Sequence, residues 1–343
     1  MTRTEWQVIP SFRYDALCLL NTLTGDPFYV EFNQDAYDYF KPRLTAGVEN
    51  ALGDLKRSIK DEGKWIISAL LCMYYSGTEG DSLAEMHHAL DNPEPIRDSL
   101  QHSPYYDENE WQLFLRNRDT LHTIFRFLED IDFTGYWQGT ILPQIAPEIE
   151  KIAAYLTEHD VVAKLEALIG ITLPSPTIRV YVLYYTRPHG IKVIGQNFIT
   201  DASWSPKIAL RTAIHEMLHP PYDYEGDKAL KTAILNLQQD AFVAEKFAGH
   251  NPDYGYNDFP GYVEENCVRA LEQIVNEAFD IARDPRERWR TEDDGMHVVA
   301  AALYHTLKTQ QFTGGFRDFL LNALQTSLAP GKVRRVYDAF YGE

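Results

Sequence analysis

His215, Glu216 and His219 stand in the order His-Glu-x-x-His, with Met217 and Leu218 between them. On a helix, residues four apart lie on one face, one turn from each other. Two imidazoles at that spacing can reach one metal ion, and the carboxylate beside the first can face a water on that ion. The chemistry this would support is zinc-dependent hydrolysis with Glu216 as general base. It needs a real helix beneath the motif, and the flanks carry the signals for one. Ser205 and Pro206 read as an N-cap and the first helical residue. Ile208, Leu210, Ile214, Met217 and Leu218 recur as an apolar stripe, and Pro220-Pro221 stops the helix just past His219.

A catalytic zinc takes three protein ligands and keeps one position open. Three sources for the third ligand compete. The extended pattern His-Glu-x-x-His-x-x-Gly-x-x-His is departed from twice, with Tyr222 at its glycine and Glu225 at its last histidine. Glu225 is still a chemically competent donor. A second source is the segment from Gly261 to Glu272, which is apolar at Val263, Cys267, Ala270 and Leu271 and so must pack on the protein body. Glu264 and Glu265 in its first turn then lie near a buried face, where a carboxylate is costly unless a cation neutralises it. The third source is an isolated histidine such as His250, His297 or His305.

A His-Glu-x-x-His helix followed by a glutamate near the start of a later helix resembles the gluzincin branch of the zincin metallopeptidases. The resemblance spans about 177–283 and is one of motif and layout. It implies a zincin-like catalytic domain, one zinc ion on His215, His219 and a downstream glutamate, Glu216 as general base, and a peptide or protein as substrate. In gluzincins a polar residue commonly precedes the ligand, and small or polar residues recur four and seven positions after it. Counted from Glu265 these are Arg269 and Glu272; counted from Glu264 they are Val268 and Leu271. Glu265 is therefore favoured, with Arg269 as a candidate partner behind it. The resemblance also implies an edge strand that holds an extended substrate, here Ile194–Phe198, and a tyrosine or histidine that donates to an oxyanion. Tyr254, Tyr256, Tyr262, Tyr337 and Tyr341 are candidates for that donor.

The elements that must position these residues read as an α+β protein, predominantly helical. Residues 1–175 read as a helical N-terminal domain, with helices near 44–60, 63–76, 82–91, 108–130 and 145–169, the last capped by Gly170. Residues 176–343 read as the catalytic domain. Its β-branched and aromatic segments 177–185 and 191–199 are strands. Helices follow near 227–248, 262–283, 294–310, 315–328 and 330–341. His87-His88 reads as a surface pair, since neighbours on a helix point about 100° apart.

The chain has 343 residues, 45% hydrophobic, with a formal net charge of -18. That acidity and the lack of a basic patch argue against nucleic acid and anionic membranes as partners. No apolar run has the length of a membrane span or the form of a signal peptide. Three scattered cysteines imply no disulfide framework, so the cytoplasm is the expected compartment. The alternative to an enzyme is a binding or scaffold protein on a zincin-like fold with its metal structural or absent. Loss of hydrolysis on Glu216→Gln separates the two.

Overall fold

A computed structural model describes residues 2–101, 103, 106–251, 254, 256, 258–310 and 315–342. The chain is mostly helical and carries one four-stranded sheet. No helix among the described residues is long and apolar enough to cross a membrane. Residues 5–158 and 177–209 form one compact unit; residues 1–4, 159–176 and 210–343 form another.

This division differs from a single cut between residues 175 and 176, and the sheet is the reason. A strand's backbone N–H and C=O groups must find partners on neighbouring strands. The partner of β2 (Thr177–Leu183) is β1 (Glu5–Ile9), a strand near the start of the chain that the sequence reading passed over. They run parallel with Val8 opposite Val180. β1 is short and its face alternates only between exposed and half-buried, so it carries little apolar signal.

The stretch 191–199 is two strands rather than one. β3 (Ile191–Val193) turns at Ile194–Gln196 into β4 (Asn197–Asp201). Gly195 takes the left-handed backbone (φ 70°) that this turn requires, and Asn197 Nδ2 closes the turn by donating to the Ile194 carbonyl at 2.6 Å. The order is β1-β2-β4-β3, with β4 parallel to β2 and antiparallel to β3. The substrate-strand role expected of Ile194–Phe198 is thereby overturned. Asn197 and Phe198 are already paired on both sides, and the free edges belong to β1 and β3.

The core of this unit joins Leu183, Tyr185, Ile191, Val193 and Ile199 of the sheet segment to the helices. At its centre is the helix Phe12–Leu23, capped by Ser11 and buried along its whole length. Asp15 on it is buried because it is fully used: it accepts from Trp137 Nε1 at 2.9 Å and from the amides of Tyr184 and Tyr185 at 2.8 and 2.9 Å. Burial nonetheless pushes its pKa up to about 7. Three helices expected as continuous are broken: between Arg116 and Arg118, between Leu156 and Val161, and between Asn236 and Ala241. His88 is exposed as expected, but His87 is not a surface residue; its Nδ1 lies 2.7 Å from Nδ1 of His122 on the helix Arg118–Asp130.

In the other unit, Gly170 ends the helix Val161–Ile169 in the left-handed conformation, as its position implied. A Cβ there would lie 2.5 Å from the Gly315 backbone, so the close approach also requires glycine. The unit's long helix is Phe259–Ala278, capped by Asp258, whose carboxylate accepts from the Gly261 amide at 2.9 Å.

Candidate metal centre

The motif helix runs Pro206–Met217. Ser205 caps it as expected, its Oγ accepting from the Ile208 amide at 3.4 Å. Ala209, Leu210, Ala213, Ile214 and Met217 are buried, which fixes the helix's rotation; Ile208, expected on the same stripe, is exposed. Regular helix ends two residues short of His219, whose peptide bond to Pro220 is cis. His219 therefore reaches the site from the turn just beyond the helix. Arg211 ties the helix down by donating through Nε and Nη2 to the Ile281 carbonyl, at 2.8 and 2.5 Å.

The helix Phe259–Ala278 faces the interior with charged and amide side chains. Glu265, Asn266, Glu272, Gln273 and Asn276 are all buried. Such a face is tolerable only if each polar group finds a partner. Most do: Asn266 bridges the Tyr262 carbonyl and the Ala300 amide, and Asn276 donates to Glu272 at 2.9 Å. Oε2 of Glu265 and Oδ1 of Asn276 are the exceptions, and the first faces the two histidines. Glu265 is 1% exposed, yet its Oε2 accepts no hydrogen bond of good geometry. Among the described residues it meets the Nε2 atoms of His219 and His215, at ion-pair distances of 3.3 and 3.7 Å.

Those two nitrogens are themselves 3.3 Å apart. The triangle of 3.3, 3.3 and 3.7 Å has a point about 2.0 Å from all three corners, the length of a zinc–nitrogen or zinc–oxygen bond. His215, His219 and Glu265 are the one group of three potential metal donors this close among the described residues. Two imidazoles and one carboxylate are also the donor set of many catalytic zinc sites.

The far side of each imidazole is held by a carboxylate. Nδ1 of His219 lies 3.0 Å from Glu264 Oε1, and Nδ1 of His215 lies 3.4 Å from Glu272 Oε2. This carboxylate–imidazole arrangement leaves Nε2 as the inward-facing lone pair. It also separates the two adjacent glutamates: Glu265 points inward with the histidines, while Glu264 stands behind His219.

The surroundings favour positive charge at the centre. Burial opposes a charge on His219, but Glu264 and Glu265 outweigh it and raise its pKa to about 10. Burial likewise opposes ionisation of Glu265, yet the Arg269 guanidinium, with His215 and His219, holds its carboxyl well below the usual range. Arg269 and Arg288 between them pair with four carboxylates: Glu265, Glu292 and Asp293 on Arg269, Glu272 and Glu292 on Arg288. Glu292 also pairs with Arg283 at 2.8 Å, and Glu264 and Glu216 add negative charge beside His219.

The remaining candidates for the third ligand lie elsewhere in bonding terms. Glu225 is exposed and pairs with Lys231 at 2.6 Å. His250 stacks on Phe247, His305 meets Phe340 edge-on, and His297 is buried against Asp293 at 2.7 Å. Among the tyrosines, Tyr262 donates to the Met296 carbonyl and Tyr254 to Asp294, each at 2.7 Å. Tyr337 and Tyr341 pack on each other. Tyr256 is close enough to Glu265 and Arg269 to feel both charges, and burial raises its hydroxyl pKa. Glu216 is half-buried and near enough for its charge to act on His219.

Arg288, Glu292 and Asp293 were missed as site residues. Glu292-Asp293-Asp294 looks like a solvated acidic run. In the fold, Asp293 and Asp294 adopt left-handed backbone (φ 47° and 55°) in a tight turn after the helix Pro285–Thr291, and Glu292 and Asp293 both reach Arg269. Compared with protein-family models, with curated proteins and with solved structures, the chain matches none significantly.

Proposed function

We propose that the chain is a zinc-dependent metallohydrolase of the gluzincin type, and that its substrate is a peptide or protein. The observation that carries this reading is the meeting of three donors, His215 Nε2, His219 Nε2 and the otherwise unpartnered Glu265 Oε2, around a point at zinc-bond distance. A zinc ion on these donors would polarise a carbonyl and acidify water. Glu216 is the general base, taking a proton from the attacking water and returning it to the leaving amine. Glu264 and Glu272 fix the orientation and tautomer of the two imidazoles. The acidity of the chain fits the absence of nucleic acid from this function.

The test is hydrolysis of a peptide library by the zinc-loaded protein and by Glu216→Gln. Cleavage by the wild type, lost in a folded and zinc-loaded variant, is the expected result. No cleavage by zinc-loaded wild type would leave a binding or scaffold role.

A further inference from the structure

We infer that Arg269 restricts Glu265 to a single ligating oxygen and so keeps one coordination position of the metal free. The inference rests on the metal-binding reading above and concerns a positioning residue, not a catalytic one. Arg269 Nε donates to Glu265 Oε1 at 2.6 Å, which leaves Oε2 alone to face the histidines. A glutamate with both oxygens free can chelate through both. A catalytic site needs the position that such chelation would fill.

The guanidinium is fixed on its other sides as well. Nη1 pairs with Glu292 Oε1 at 2.5 Å and Nη2 with Asp293 Oδ2 at 3.2 Å. With three carboxylates on its three nitrogens and only 12% of the side chain exposed, it has little freedom to turn away from Glu265. Behind it the network continues. Glu292 Oε2 pairs with Arg288 at 2.6 Å, Arg288 with Glu272 at 2.6 Å, and Glu272 Oε2 lies 3.4 Å from His215 Nδ1. One chain of buried ion pairs thus starts on the carboxylate ligand and ends on an imidazole ligand. The turn at 292–293 is the piece that holds it together.

Cobalt(II) tests this directly, because it accepts the same nitrogen and oxygen donors and its visible absorption is intense when four-coordinate and weakens as ligands are added. Wild type, Arg269→Met and the charge-balanced double variant Arg269→Met/Glu292→Gln are titrated with Co²⁺. The expected result is an intense band in wild type. Both Arg269 variants should show a clearly weaker band once saturated with Co²⁺. Should the single variant fail to fold, the double variant decides, since it removes one charge of each sign. An unchanged band in a folded, Co²⁺-saturated Arg269 variant overturns the inference. So does complete loss of Co²⁺ binding in a folded double variant, which would make Arg269 a condition for ligation rather than a limit on it. No Co²⁺ binding by wild type would instead overturn the metal reading itself.

Discussion

The molecule contains two pairs of histidines flanked by carboxylates, one in each unit, and they are built in opposite ways. In the pair His215 and His219, the Nδ1 atoms rest on Glu264 and Glu272, and the Nε2 atoms face each other at 3.3 Å with a third donor, Glu265 Oε2, beside them. In the pair His87 and His122, the Nδ1 atoms face each other at 2.7 Å, and the Nε2 atoms lie 3.6 and 3.1 Å from Glu129 and Asp91. Their ring centroids are 4.9 Å apart and the planes differ by 11°. A separation of 2.7 Å is an N–H···N hydrogen bond, with one ring donating and the other accepting. The two rings are nearly parallel, and among the described residues no third donor joins these nitrogens, so the pair shares a proton. Residue type and nearby carboxylates are therefore not enough to define a metal site. The separation of the inward nitrogens, and whether a third donor joins them, decide whether a pair is suited to a metal or to a proton.

The largest expected effect that sharpens this contrast is on catalysis. Glu216→Gln should lower peptide hydrolysis by roughly 10²–10⁴-fold while one zinc per chain is retained. A steady-state assay on variants of verified zinc content checks it. Next is metal affinity. Glu264→Gln and Glu272→Gln should each weaken zinc binding by roughly 10–100-fold, read by competition with a chromophoric chelator. Equal losses from Asp91→Asn or Glu129→Gln would erase the distinction between the pairs, since the account expects neither of these to change zinc affinity.

The smallest effect concerns protons. Burial, followed by the competing charges of Glu129 and His122, leaves the His87 pKa below its ordinary value of 6.5. Arg126 and Asp91 add weaker opposing contributions, and Arg118 and Asp119 line the same cavity of about 500 Å³. A base with a depressed pKa binds fewer protons when folded than when unfolded. Its contribution to stability is thus complete above pH 6.5 and is lost as pH falls below it. Protonating both rings would also set two N–H groups against each other. Between pH 7.5 and 5 acidification should lower the urea midpoint of wild type relative to that of His87→Gln; Asp15 and His219, with raised pKa values, act in the opposite direction but equally in both proteins. His189, whose burial lowers its pKa to about 4, has the same sign as His87 and is common to both proteins, so the difference in slope reports the pair.

Much of this was legible in the sequence where local rules govern. The Ser205-Pro206 start and the Gly170 cap are short-range signals, and each appears as read; the two histidines meet, but His219 does so from two residues past the helix end. Glu265 was distinguishable from Glu264 only by its register on the helix, yet the two come to face different nitrogens of His219. What was not legible depends on distant chain. β1 is separated from β2 by more than 160 residues, so the pairing that draws 177–209 into the N-terminal unit leaves no local trace. The same pairing places β4 inside the sheet and removes the edge expected at Ile194–Phe198. Arg269 stands behind Glu265 as expected, but Arg288, Glu292 and Asp293 look like surface charge until the turn at Asp293 brings them together. His87 seemed a surface residue because its partner, His122, lies on another helix.

The most direct test of the central claim is zinc content by elemental analysis, measured on purified wild type beside Glu265→Ala and His87→Ala. The account predicts about one zinc per chain in wild type and His87→Ala, and little or none in Glu265→Ala. No zinc in reconstituted wild type, or zinc that survives Glu265→Ala and disappears in His87→Ala, would contradict it.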